Sequence, residues 1–356
     1  MMDGRHGGDI RQYLENGKDI LDFSASINPL GLSARAKAAL AKEISRIVHY
    51  PQARSESLKN TLAGLHNIRY DNIALGNGSM ELVYDIPRAF AAKKVLVITP
   101  TFSEYEFAAK SSGARILFHN TSEGKDFKID VSRVSAAASK VDIIFICNPN
   151  NPTGSYLTRS ECELLADRCA KYGAVLVLDE VFMDFVEGGD ELTMLPGTLK
   201  NKNTLVLRSM TKFFAMPGLR LGYCLGHREL IKKIRDIQYP WNINSMAQAA
   251  GEAVIRDRSY ITRSRSCVFS QRQFLFGELN RIKGLKTFKP ASNFILCKLD
   301  RCAIKSAKAL NKRLIKKRII VRDCGNFRGL DSRFFRVAVR ARAENIKLIA
   351  ALKEVL

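Results

Sequence analysis

The chain of 356 residues predicts an α/β fold: a large domain on a mostly parallel central sheet, and a smaller α+β domain. Three observations predict it. Short, wholly apolar runs alternate with longer amphipathic stretches through the middle of the chain. Such runs suit strands buried on both faces, which belong to parallel sheets covered by helices. Polar, Asn-, Gly- and Pro-rich segments follow several of these runs, where α/β sheets bind ligands. Beyond about Ser259 the alternation gives way to a charged helical stretch and a different strand pattern.

The elements follow in order. Residues up to about 45 have weak periodicity and are expected to pack with the smaller domain, giving boundaries of 46–258 for the large domain and 1–45 with 259–356 for the small one. Residues Met80 to Ala92 read as a helix, and Val95-Leu96-Val97-Ile98 and Ile143-Ile144-Phe145-Ile146 as strands. Thr158 to Tyr172 reads as a helix opened by a capping box, with Thr158 as N-cap and Glu161 three positions on. Val175-Leu176-Val177-Leu178 and Leu205-Val206-Leu207 complete the buried strands. The C-terminal part supplies strands at Phe294–Cys297, Ile319–Val321 and Phe334–Val339, a basic helix between the first two, and a closing helix from Glu344.

Composition bounds the function. A hydrophobic content of 46% and charged content of 26% are ordinary for a globular protein. No apolar run is long enough to span a bilayer, and the start, Met1 to Gly8, has no apolar h-region, so neither a membrane segment nor a signal peptide is expected. The eight cysteines are scattered without a C-x-x-C pair, which argues for reduced thiols in a cytoplasm and against a zinc or redox centre; no metal is expected. A formal charge of +22 admits two readings, a nucleic-acid or membrane-surface partner, or a field that attracts anionic metabolites. No nucleic-acid-binding signature accompanies it.

The residues that carry chemistry begin with Ser209-Met210-Thr211-Lys212, followed by Arg220 beyond a Pro-Gly turn. A hydroxyl and a guanidinium can hold a phosphate dianion and leave the lysine amine free to react. Asp179 ends a buried strand, where a carboxylate is costly without a cation. Gly76-Asn77-Gly78-Ser79-Met80 opens a helix, and free N–H groups at a helix N-terminus favour anions. Asn148-Pro149-Asn150-Asn151-Pro152-Thr153-Gly154 is a double Asn-Pro turn. Each has an ordinary structural reading alone: a solvated lysine, a helix cap, a glycine turn.

Together, and in this order, these motifs resemble the pyridoxal-phosphate enzymes of aminotransferase fold type I, over nearly the whole chain. The resemblance implies pyridoxal 5'-phosphate as cofactor. It assigns Lys212 as the Schiff-base lysine, Asp179 as partner of the pyridine nitrogen, Asn151 as donor to the phenolate oxygen, and Phe102 as the residue stacked on the ring. Gly78, Ser79, Met80, Ser209 and Arg220 match the positions around the cofactor phosphate. Tyr50 matches a tyrosine that reaches the phosphate of a partner subunit, which implies a homodimer with shared active sites. Arg336 matches the arginine that binds the substrate carboxylate. Phe182 departs from the family, since many members carry Tyr there.

The His6-Gly7-Gly8-Asp9 start, the Asn28-Pro29-Leu30-Gly31 run, Phe182 and Arg322 are similar to the threonine-phosphate decarboxylases of cobalamin biosynthesis. That resemblance implies decarboxylation of L-threonine O-3-phosphate to (R)-1-amino-2-propanol O-2-phosphate. His6, Gly7 and Arg322 are then expected near the substrate phosphate, and Asn28 among the substrate-binding residues. The alternatives are a serine-phosphate decarboxylase giving ethanolamine phosphate, a histidinol-phosphate aminotransferase, and a basic nucleic-acid-binding relative of the fold.

Overall fold

The computed structural model describes residues 6–10 and 20–356; Met1–Arg5, part of the start read for a leader, lies outside them. Among the described residues there are twelve strands in two sheets: β1 (Leu21–Phe23), β2 (Ile73–Asn77), β3 (Lys94–Thr99), β4 (Arg115–Asn120), β5 (Ile143–Cys147), β6 (Val175–Asp179), β7 (Thr204–Ser209), β8 (Leu221–Gly226), β9 (Leu285–Thr287), β10 (Phe294–Leu299), β11 (Ile319–Asp323) and β12 (Phe334–Ala338).

The larger sheet is ordered β2-β8-β7-β6-β5-β3-β4. Its pairs from β7 to β4 are all parallel, and β8 runs antiparallel between β2 and β7. Every residue of β5, β6 and β7 is buried, as a sheet covered on both faces requires. The helices Ser79–Ala89 and Glu104–Ser111 pack with one face. The helix Arg159–Tyr172 packs with the other. Its capping box forms as expected: the Glu161 N–H donates to Thr158 Oγ1, and Glu161 Oε2 accepts from the Thr158 N–H at 2.7 Å.

The helix expected over Met80 to Ala92 ends at Ala89. Ala91 adopts a left-handed conformation and the Ala92 N–H turns back to the Pro87 carbonyl at 3.0 Å, which closes the helix in the manner of a Schellman motif.

The smaller sheet is ordered β1-β11-β12-β10-β9, with β1 parallel to β11 and the other pairs antiparallel. The helices Arg258–Asn280, Ala307–Ile315 and Arg342–Val355 bury Leu275, Leu310 and Leu348 against it. The N-terminal segment is divided. Strand β1 joins this sheet, whereas the helix Ala34–Glu43, expected beside it, packs on the helix Ser245–Ile255 in a core shared with Leu58 and Leu221 of the large sheet's side. Its small, alternating Ala and Lys pattern carried no signal for which core it would join.

Candidate active site

Strands β5, β6 and β7 end at one edge of the large sheet, so the loops that follow them converge. The small sheet's β11 and β12 face that edge. A cavity of about 320 Å³ lies between, lined by Ser79, Met80, Phe102, Asn151, Asp179, Phe182, Lys212 and Arg220 from the large sheet's side, and by Arg322 and Arg336 from the small one. His6 and Gly7 also line it. Residues spread over most of the sequence are brought to one wall.

Asp179, the last residue of β6, is 5% exposed and has no ion-pair partner among the described residues. One carboxylate oxygen accepts from the Tyr105 hydroxyl at 2.5 Å, the other from the Val181 N–H at 3.1 Å. Burial raises its carboxyl from the ordinary 3.8 to about 6, against the pull of those two donors. A buried carboxylate that faces a cavity and has no ion-pair partner of its own among the described residues fits a ligand that brings a cation, as a protonated ring nitrogen does.

Lys212 lines the same cavity. Burial, with Arg336 and Arg220 nearby, lowers its ammonium from 10.5 to about 8, so a useful fraction of free amine exists near neutral pH. Its carbonyl accepts from the Asn28 N–H at 3.0 Å, which anchors the loop that carries it.

Arg220 and the start of the helix Ser79–Ala89 line the same cavity. Gly78 has φ of +76°, and a Cβ there would come within 2.4 Å of the Arg220 guanidinium. Only glycine lets the guanidinium approach the start of the helix Ser79–Ala89. Ser79 stands at the first position of that helix, where backbone N–H groups and the dipole favour an anion. Arg220 itself adopts a left-handed backbone, with φ of +56°.

The small sheet's side of the cavity holds two arginines. Arg336 donates from Nη1 to Asn151 Oδ1 and from Nη2 to the Ser24 carbonyl at 3.0 Å, while its Nε is buried without a partner. Arg322 donates to Asn326 Oδ1 at 2.9 Å and lies over the Phe327 ring. Neither has an ion-pair partner among the described residues, and burial weighs against both charges. Phe182 packs edge-on against Phe294, which also lies beneath the Arg336 guanidinium.

Four expected residues do not line the cavity. The Asn28 amide donates to the Phe213 carbonyl at 2.7 Å and to Ser264 Oγ at 2.8 Å, so it is engaged behind the lysine loop rather than facing a substrate. Ser209 bonds Thr211 Oγ1 at 2.7 Å, and it is Thr211 that reaches the wall. Gly78 lies under Arg220. Tyr50 is 85% exposed and rests against Trp241, away from this chain's own cavity.

Sequence reasoning gave no role to Tyr105 or Ser24, and it named Thr211 in the lysine loop while assigning the phosphate to Ser209. Tyr105 had only its nearness to Phe102 as a signal: Phe102 precedes the helix Glu104–Ser111, in whose first turn Tyr105 lies. Ser24 had none, since it works through its backbone carbonyl.

The fold is that of the fold type I transferases. The chain belongs to the class I and II aminotransferase family, which it matches over residues 18–352. It is 34% identical to the threonine-phosphate decarboxylase of Salmonella typhimurium over 361 residues, covering all of this chain and 98% of that one. The crystal structure of the histidinol-phosphate aminotransferase from Clostridium acetobutylicum superposes with a TM-score of 0.88 at 32% identity, covering 94% of this chain and 99% of that one. The crystal structure of L-threonine-O-3-phosphate decarboxylase from Porphyromonas gingivalis does so with a TM-score of 0.83 at 26% identity, with the same coverage.

Proposed function

We propose that the chain is a pyridoxal 5'-phosphate-dependent carboxy-lyase that converts L-threonine O-3-phosphate to (R)-1-amino-2-propanol O-2-phosphate, the linker of the cobalamin nucleotide loop. The observation that carries this reading is the pair of buried arginines, Arg322 and Arg336, turned to one cavity without carboxylate partners. A substrate with both a carboxylate and a phosphate complements them. The similarity over the whole chain to the Salmonella decarboxylase, and Phe182 where many aminotransferase relatives carry tyrosine, support decarboxylation over transamination.

The cavity residues fit the cofactor. Ser79, the N–H groups at Gly78 and beyond, and Arg220 would hold its phosphate, with Ser209 supporting Thr211 behind it. Asp179 would meet the ring nitrogen, Asn151 the phenolate oxygen, Phe102 and Met80 the ring's surroundings, and Lys212 the aldehyde. When bound, the group supplies an electron sink for the carbanion left when a bond to Cα breaks.

The chain's own residues choose the bond. Arg336 binds the carboxylate through its free Nε edge, and Arg322 with His6 binds the phosphate. Two fixed points set the rotation of Cα, which is how binding remote from the reacting bond contributes to rate. Lys212 Nζ then returns a proton to Cα. The surrounding aromatic residues, Phe102, Phe182 and Phe327, limit water at the reacting carbon. Tyr50, exposed here, is assigned to the phosphate of a partner subunit in a homodimer.

The test is product identification with L-threonine O-3-phosphate, L-serine O-phosphate and histidinol phosphate. Carbon dioxide released from the first without 2-oxoglutarate is the expected outcome; 2-oxoglutarate-dependent turnover of histidinol phosphate would replace this reading with the aminotransferase one. The serine analogue differs by one methyl, for which an apolar pocket discriminates by only ~1–3 kcal/mol.

A further inference from the structure

His6, expected to bind the substrate phosphate, sits on a short segment that belongs to neither sheet. His6 lines the cavity, and its Nε2 lies 2.7 Å from Glu104 Oε1. The second oxygen of that carboxylate accepts from the Tyr84 hydroxyl, also at 2.7 Å. His6 Nδ1 has no hydrogen-bond partner among the described residues.

Glu104 is well placed to act as an anchor. Its side chain is 13% exposed, against 46% for His6. It sits in the first turn of the helix Glu104–Ser111, where the helix dipole favours a carboxylate. Both its oxygens are engaged. The strap has a second fixing point: the Gly8 N–H donates to Ser24 Oγ at 2.9 Å, and a Cβ at Gly7 would come within 2.3 Å of the Ser24 carbonyl oxygen. That same carbonyl receives Arg336 Nη2. The segment is therefore tied to the large sheet's side through Glu104 and to the small sheet's side through Ser24, across the mouth of the cavity. The His6 ring also meets Phe102, with ring centroids 5.5 Å apart.

We propose that Glu104, buttressed by Tyr84, is a positioning residue for the phosphate end of the substrate: it fixes His6 across the cavity mouth so that Nδ1 is the donor offered to the phosphate. The proposal rests on the decarboxylase reading. An ionised carboxylate only accepts, so Nε2 is the nitrogen that donates to Glu104, and Nδ1 is the one left for the phosphate. Glu104 thereby helps to select phosphorylated over unphosphorylated substrates without touching either.

The experiment is a double-mutant cycle on the cofactor-loaded enzyme, with Glu104→Gln, His6→Gln and the double variant, and Tyr84→Phe as a milder probe. KM and kcat are measured for L-threonine O-3-phosphate, and kcat/KM also for L-threonine. Glu104→Gln is expected to raise KM for the phosphorylated substrate on the order of tenfold, the worth of one charge-assisted hydrogen bond, with a much smaller change in kcat. The preference for phosphothreonine over threonine should fall in parallel. In the His6→Gln background Glu104→Gln should add little, because both act through one imidazole. Additive effects in the cycle, or an unchanged substrate preference in Glu104→Gln, overturn the proposal. If the unaltered enzyme releases no carbon dioxide from phosphothreonine, it is the decarboxylase reading that fails instead.

Discussion

Arg322 and Arg336 stand directly opposite one another on the antiparallel strands β11 and β12, and both are buried, at 8% and 6% exposure. Like charges directly opposite on neighbouring strands are destabilising even on ordinary sheets. An anion between them converts a liability into a binding site. Replacing Arg322 by Gln is therefore expected to raise the thermal midpoint of the ligand-free protein slightly while it weakens phosphorylated substrate by at least ~10-fold, the loss of a charged hydrogen bond. Calorimetry and steady-state kinetics on one preparation check both halves. Arg336→Lys should do more harm than its charge suggests, because a lysine cannot reproduce the planar fork that reaches Asn151, Ser24 and a substrate together.

Asp179 sets a pH dependence in the cofactor-free protein. Its carboxyl is raised from 3.8 to about 6 in the fold, chiefly by burial. A carboxyl raised on folding stabilises the folded state most below its unfolded value, and that contribution is lost as pH rises through the folded value. The stability of the cofactor-free protein should thus fall, relative to Asp179→Asn, between about pH 4 and pH 6. Bound cofactor should abolish the difference, since a ring N–H⁺ lets the carboxylate ionise at little cost. Thermal melts of both proteins over that range, with and without cofactor, test it.

Lys212→Ala should lose both the visible absorbance of the cofactor-bound protein and all turnover. In the cofactor-free protein, the rate of carbonyl-directed modification of Lys212 should rise with pH to a midpoint near about 8, where burial, Arg336 and Arg220 place its amine. Arg336→Met should move that midpoint upward, because it removes one of the cations that disfavour the ammonium.

Gly78→Ala is expected to weaken cofactor binding on the order of tenfold or more, while the fold survives. The new methyl would occupy the place of the Arg220 guanidinium, and the residue would hold a positive φ that alanine resists. Fluorescence titration of the cofactor-free variant measures the loss. A Gly78→Ala variant with unaltered affinity would mean that Arg220 has another place to sit.

Much of the cavity's lining was legible because its residues occupy strand ends and tight turns. Asp179 ends β6, Asn151 lies in the turn after β5, and Lys212 follows β7, each marked by a change from apolar to polar residues. The antiparallel insertion of β8 was not legible, since an apolar strand pattern does not encode direction. The place of Asn28 was not legible for a different reason. An amide suited to a substrate is equally suited to hold a loop, and here it bonds Phe213 and Ser264.

The sequence by itself determined the alternation of buried strands and helices, the capping of the helix Arg159–Tyr172, and the set of residue types that a phosphate-bearing carbonyl cofactor needs. These depend on local order, and local order is what a sequence displays. Only the tertiary structure decided that Arg322 faces Arg336, that Tyr105 holds Asp179, and that Glu104 secures His6. Those relationships join residues on separate elements, some nearly 100 positions apart, as with the 98 between His6 and Glu104. The first is set by strand register, the second by a helix packed on its sheet, and the third by a segment crossing to a helix of the large sheet's side, and no local pattern records any of them.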